Sequence, residues 1–390
     1  MAELSPFQAL RCTAGARRDN LPLEAGPFHA ARPESTGGNN PAELLREWME
    51  DGIVKQDTDP GLYIYEQEFT HLGQRKKVRG FLSLVKIEEE PGILTHEETF
   101  PSEVQERLAL LEATSCQFSP IYSFYEDDGR KTMSRIRLLS SGKPRMEFSE
   151  RGVTHRLWVV NDILAIAAIW EDFAPRRLFL ADGHHRWAAA AEWKKRGGPD
   201  SALMFLADAE QDMTILPAHC LVRGTFEEKT FLAGCEPYFD VIRRGTTDEI
   251  PANLDALYRQ GKKAFAFYSG GANWTLLILK DSSVMAQLLP DKSEPFRELD
   301  SSILHSLILE HLFQLPAQDS SEPSFLSFSS SMQETLNSVR GGLGQCAFLL
   351  NPARVKEIRE ISVTGEKMPP KSTAFYPAPP AGMIMYLNKG

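Results

Sequence analysis

One junction constrains this chain more than any other stretch. An apolar strand pattern, Leu178-Phe179-Leu180-Ala181, runs straight into Asp182-Gly183-His184-His185-Arg186 and then into the alanine-rich helical run Trp187–Arg196. Where a strand feeds a helix this abruptly, the unpaired N–H groups of the first turn converge on one spot, and the helix dipole favours an anion there. Gly183 permits close backbone approach, His184 adds a polar side chain, and the Arg186 guanidinium can fork onto two oxygens. His185 is a candidate acid or base, and Asp182 a candidate metal ligand or histidine partner. The plainer reading is a solvated polar cap, but four polar or charged side chains around one glycine exceed what a cap needs. Adjacent histidines do not share a helix face, which argues against a zinc pair.

A second cluster is His96-Glu97-Glu98-Thr99, with Arg107 further along the following helix. Glu97 is placed to accept a proton from a hydroxyl, a task for a carboxylate beside a strand end. The alternative is an acidic helix entry in which Thr99 or Ser102 caps the helix and Glu103 favours its N-terminus. In His155-Arg156-Leu157-Trp158, alternation turns His155 and Leu157 one way and Arg156 and Trp158 the other, so His155 is equally read as a satisfied strand histidine. Near the end, Met368-Pro369-Pro370-Lys371-Ser372-Thr373 holds its Lys-Ser-Thr run on two prolines, and Lys371 can reach a phosphate as a point charge. A proline-rich turn into a final strand, Gly382–Leu387, reads as well. His305 and His311, on an apolar helix, and the five scattered cysteines read as structural.

Length and charge bound the rest. At 390 residues the expectation is two or three domains. Lys and Arg number 43 against 53 Asp and Glu, a net charge of −10. That balance argues against a general nucleic-acid binder, which must neutralise phosphates over a basic surface. No CxxC, signal-peptide pattern or membrane-length apolar run is visible, so the expected setting is cytoplasmic and reducing. Residues 1–40 read as an irregular loop and Ser320–Ser331 as the least structured interior segment. Between them the periodicity predicts a helix from Pro41, a hairpin of Leu62–Phe69 and Lys77–Ile87, and a helix over Ser102–Ala113. Further strands are expected at Phe118–Tyr125, Thr154–Val160, Arg177–Ala181, Ala202–Ala207, Ala264–Tyr268, Trp274–Leu279 and Cys346–Leu350, and helices at Asn161–Phe173 and Ser301–Phe313. Helices and strands interleave without strict alternation, which reads as mixed α/β or α+β.

Taken together, these segments resemble the family catalogued as domain of unknown function one-thousand-fifteen. The resemblance runs through Tyr63-Ile64-Tyr65, His96-Glu97-x-Thr99, Arg107-Leu108, Ser119-Pro120-Ile121, His155-Arg156-Leu157-Trp158, Asp182–Arg186, Ile215-Leu216-Pro217, the Leu299–Leu309 helix and Met368–Thr373. The family's central order is similar to the ParB/sulfiredoxin-like fold. This implies a nucleotide-binding core in residues 1–223 and a second α/β region in 224–390, whose last segment returns to the site. Sulfiredoxin's own chemistry needs a cysteine where this chain has His184. Free-serine kinases are the enzymes the family most resembles, which implies ATP or ADP and Mg²⁺ as cofactors. The roles implied are Glu97 as general base, helped by His185 and Asp182, and Asp182 as the Mg²⁺ ligand. Gly183, His184, Arg186 and Lys371 would hold phosphates. His96, Thr99, Arg107, Ser119, His155, Arg156 and His219 would lie at the substrate or behind these contacts. Partners are then a small hydroxylated metabolite and a nucleotide, with no nucleic acid or membrane and a homodimer as the assembly to test. Three positions depart from the family pattern: residues 13–40 replace an early Pro-Tyr-Asp-Val segment, Cys220 follows His219 where a basic residue is expected, and Ala378 stands for a lysine. They make a non-catalytic, nucleotide-binding regulator the second reading.

Overall fold

The structure, a computed structural model, describes residues 2–12, 40–88, 92–224, 226–315, 325–369 and 371–388. Most of the expected irregular N-terminal stretch, residues 13–39, and the first part of the serine-rich segment lie outside these. The chain forms two compact units, residues 1–214 with 377–390, and residues 215–376. This differs from a division after residue 223. His219–Val222 pairs with Cys346–Leu349 and Leu326–Ser329 in the second unit's sheet. Met385–Leu387 pairs with Ala9–Cys12 and Cys116–Gln117 in the first.

In the first unit, Leu62–His71 and Gln74–Lys86 form the expected hairpin, closed by Leu72-Gly73 at φ +49° and +74°. Two left-handed residues make the turn whose twist matches that of the flanking strands. Around this hairpin the mixed sheet runs in the order Ile93–Leu94, Leu178–Asp182, Ile121–Tyr125, Ser201–Asp208, Gln74–Lys86, Leu62–His71, Val153–Val160, Met146–Glu150. Ser201–Asp208 is parallel to Ile121–Tyr125 and antiparallel to Gln74–Lys86. Helix Ile163–Phe173 starts where the Asp162 carboxylate accepts the N–H groups of Leu164 and Ala165. It buries Ile166, Ile169 and Phe173, one face at helical spacing, with Leu62, Ile64, Phe81 and Leu180 of the sheet.

Several local expectations are corrected. Leu4–Ser5 and Ala9–Cys12, inside the stretch read as irregular, are strands, because Leu4, Ala9 and Leu10 are buried in pairings that only distant strands supply. Lys131–Leu139, for which no element is expected above, is a helix that buries only Thr132, Met133 and Ile136, too narrow a face to stand out in its sequence. Leu326–Ser329 is a strand although serine-rich, since its neighbour supplies the pairing.

The second unit has a six-stranded antiparallel sheet ordered Phe239–Arg244, Trp274–Leu279, Ala264–Tyr268, Cys346–Leu349, His219–Val222, Leu326–Ser329. Its central strands read as continuous apolar runs because both faces are covered. Phe265, Phe267, Leu277 and Phe348 pack with residues of helices Glu228–Cys235 and Ile303–Leu312. Ala264, Ala266, Tyr268, Leu276 and Leu349 pack on the opposite face with residues of Ile250–Arg259 and Met332–Arg340.

Gly80 marks the tightest point of the first sheet. A Cβ there would collide with the Leu206 carbonyl oxygen and lie 2.8 Å from the Phe205 ring. Because the obstacle is backbone of the adjacent strand, it cannot swing away. Gly80→Ala should lower stability by about 1–3 kcal/mol or more, read as a drop in the urea midpoint with the m-value unchanged.

Candidate functional site

At the junction the strand Leu178–Asp182 ends in a register shift between Leu180 and Asp182, opposite Tyr122. Gly183 then reverses the chain at φ +99° and caps helix His184–Lys195, which starts three residues earlier than its periodicity indicates. His184, His185 and Arg186 are therefore the first helical turn rather than a loop. Arg186 folds back over the glycine. Its Nη2 donates to Asp182 Oδ2 at 2.7 Å and its Nη1 to the Pro120 carbonyl at 2.6 Å. A Cβ on residue 183 would meet the guanidinium at 2.9–3.0 Å, so only glycine gives both the φ and the room.

The two histidines are held differently. His184 is buried, its ring edge-on to that of buried His96 with centroids 4.5 Å apart. Its Nε2 accepts the backbone N–H of His96 at 3.4 Å, which assigns the ring proton to Nδ1, 3.3 Å from Glu97 Oε2. Nδ1 makes no hydrogen bond among the described residues, and the Glu97 carboxylate beside it is about a quarter exposed. His185 Nε2 accepts the Phe100 N–H at 3.1 Å, and its ring stacks on Phe100. That bond takes the donor a helix N-terminus leaves free. Helix Pro101–Thr114 accordingly begins at Phe100 with no side-chain cap, correcting the expectation of Thr99 or Ser102, and Thr99 is exposed.

Arg107, on that helix, joins Arg186 in lining a pocket walled by Leu110, Leu111, Cys116, Phe118, Ile121 and Ala190, with Gln117 and Ser119. Burial holds the Arg186 guanidinium below its usual range, Asp182 pulls it back up, and the positive charge of Arg107 pushes the same way as burial. Two guanidiniums thus share one pocket, and the nearby carboxylate of Asp182 offsets only part of their charge. Among the described residues no group of three or more His, Cys, Asp or Glu could hold a metal ion, and no helix is long and apolar enough to cross a membrane.

Residues 26–302, more than half of the chain, match the family described as Protein of unknown function (DUF1015). The chain belongs to this family. No curated protein matches it. Among solved structures the chain is similar to a free serine kinase in complex with AMP, with 13% identity and a TM-score of 0.38, over 73% of this chain and 83% of that one. It is also similar to a conserved hypothetical protein from Pyrococcus furiosus, with 12% identity and a TM-score of 0.37, over 76% and 95%. A third is SbnI with a C-terminal truncation from Staphylococcus aureus, with 12% identity and a TM-score of 0.38, over 77% and 85%.

In this DUF1015 member the structure gathers His96, Glu97, His184 and, along the adjoining helices, Arg107, Ser119, Asp182, His185 and Arg186. Within the first unit, His155 and Arg156 lie apart from this group. Strand Val153–Val160 is five strand spacings along the sheet from Leu178–Asp182, roughly 24 Å. There His155 Nδ1 meets the Tyr65 hydroxyl at 2.6 Å, and its ring stacks on Phe148. Arg156 bridges Glu66, Glu68 and Glu147. His219 and Lys371 belong to the second unit. His219 is buried, its Nδ1 accepting the Leu350 N–H, and burial lowers it to about 4. The sequence reading missed the Pro120 carbonyl, the Phe100 N–H and the apolar pocket wall. The quoted Ser119-Pro120-Ile121 segment was the signal for the first of these.

Gly183→Ala should cost about 1–2 kcal/mol for the left-handed backbone, read in chemical denaturation. It should also displace Arg186, which a crystal structure of the variant would record as a lost bond to Pro120.

Proposed function

We propose that this chain transfers the terminal phosphoryl group of a nucleotide, ATP or ADP, to the hydroxyl of a small metabolite, with L-serine the first candidate. The observation that carries the reading is the pair of guanidiniums, Arg107 and Arg186, lining one apolar pocket beside a helix N-terminus. Leu110, Leu111, Phe118 and Ile121 suit a purine ring. Arg107, Arg186 and the N–H groups of His184 and His185 suit its phosphates. Phosphoryl transfer asks mainly for positioning and charge neutralisation, which such a constellation provides.

Glu97 is the residue to take the hydroxyl proton. His184 Nδ1 lies 3.3 Å from one carboxylate oxygen without a hydrogen bond to it, the other oxygen is left for the substrate, and the His96 N–H holds the imidazole from behind. His185 anchors the Pro101–Thr114 helix through Phe100 and so acts by positioning. Asp182, its carboxylate about half exposed, is the residue to share a Mg²⁺ with the nucleotide. One carboxylate is a fitting contribution, because this ion is usually bound through one or two carboxylates plus phosphate oxygens and water. The ion supplies further neutralisation of phosphate charge.

Binding of ATP or ADP with Mg²⁺ should raise the melting temperature by mass action. Arg107→Ala and Arg186→Ala should each weaken nucleotide affinity by about 1.5–3 kcal/mol, in variants shown to be folded by circular dichroism. Unchanged affinity in both would move the site elsewhere. Glu97→Gln keeps size and hydrogen bonding but removes the base. It should cut phosphoserine formation by about 10²–10⁴-fold with nucleotide affinity little changed. A wild-type protein that binds nucleotide yet phosphorylates neither serine nor any other hydroxyl metabolite would overturn the transferase and leave the regulator.

A further inference from the structure

The second unit has a pocket of its own, lined among others by Tyr258, Asp300, His305, Glu357, Lys371 and Ser372. Its innermost group is Asp300, at the start of the helix that continues as Ile303–Leu312. Asp300 Oδ1 is wholly buried and makes no hydrogen bond among the described residues, with Lys263 Nζ at 3.4 Å as its ionic partner. The same ammonium lies 4.0 Å from Glu357 Oε1. One cation therefore serves two carboxylates. The remaining positive charges are further out. Arg354 lies flat over the Tyr258 ring at 3.3 Å, and both Arg354 and Lys371 are exposed.

Two further features point to an unmet ligand. Burial pushes the Asp300 carboxyl up to about 6, with Lys263 pulling it down and Glu357 pushing it up. The folded state then holds this proton more tightly than the unfolded chain, so the group's contribution to stability is lost as pH rises through 6. His305, lowered to about 4 by burial and stacked on Phe328, is a neutral imidazole whose nitrogens have no hydrogen bond among the described residues. At the rim Lys371, held at φ +56°, occupies a backbone region that a long side chain rarely adopts and that recurs at ligand sites.

We propose that this pocket binds a small zwitterion, its ammonium group held inside by Asp300 and Glu357 and its acidic group held at the rim by Lys371. The buried carboxyl and the exposed ammonium of Lys371 are ordered to orient such a ligand. The site stands independently of the phosphoryl-transfer reading, and its probes carry no hydroxyl to phosphorylate. Titration calorimetry of the full chain with glycine, 4-aminobutanoate and 6-aminohexanoate should show saturable binding of at least one. Methylamine and acetate, each half of the ligand, should bind about tenfold more weakly or not at all. Asp300→Asn should weaken binding by about tenfold or more, with the response to nucleotide unchanged, and Lys371→Met should weaken binding by as much. Glu357→Gln replaces Asp300→Asn should that variant not fold. Absence of binding by all three probes, or affinity equal to wild type in the variants, would overturn the proposal.

Discussion

The first unit's site depends on one contact, the Arg186 guanidinium lying where residue 183 has no side chain. Gly183 turns the chain from strand to helix at a φ that other residues rarely hold. Its missing Cβ makes the space in which Arg186 reaches Asp182 behind it and the Pro120 carbonyl across the sheet. Through that carbonyl the first helical turn is tied to the start of the adjacent strand, Ile121–Tyr125. Removing the glycine, the arginine or the register shift at Asp182 would loosen the same corner. The five residues Asp182–Arg186 therefore act as one structural unit before any chemistry is asked of them.

Neighbouring histidines with the same unperturbed chemistry are given different work by what the backbone offers them. His184 is the inner one. It receives the His96 N–H on one nitrogen and turns the other toward Glu97. His185, one residue on, faces the N-terminus of Pro101–Thr114 and satisfies a donor that Phe100 cannot cap with its side chain. Its Nε2 is engaged in that bond, which favours an anchoring role over that of a free base.

Local features were legible in the sequence where the signal was local. The hairpin around Leu72-Gly73, the helix from Pro41 and the buried strands Ala264–Tyr268 and Trp274–Leu279 follow from turn residues and apolar runs of suitable length. The junction at Asp182–Arg186 stood out for the same reason. What the sequence hid was pairing between distant segments. Leu4–Ser5 is two residues long and exists as a strand only against Leu84 and Val85. Met385–Leu387 joins the first unit through Ala9 and Leu10, and the Pro377 carbonyl is held there by Gln67. No period in residues 377–390 encodes that return. His155 and Arg156 misled for a related reason. A polar pair on a strand looks like a site until Tyr65 and three glutamates are seen to satisfy it.

Charge gives the last step of the argument. A chain with a net charge of −10 repels a polyanion at long range, yet screening confines that repulsion to roughly 8 Å at physiological salt. Within that distance of the pocket the field is set by Arg107 and Arg186, and Asp182 offsets only part of it. Low-dielectric walls of Leu110, Leu111 and Phe118 concentrate what remains. A surface that is acidic overall thus discourages nucleic acid, whose many phosphates sample the whole face. It leaves open one small anion whose charge fits inside a single cluster. At that corner the Asp182 carboxylate and the Arg186 guanidinium stand side by side, 2.7 Å apart, so the cluster holds both signs of charge within one hydrogen bond.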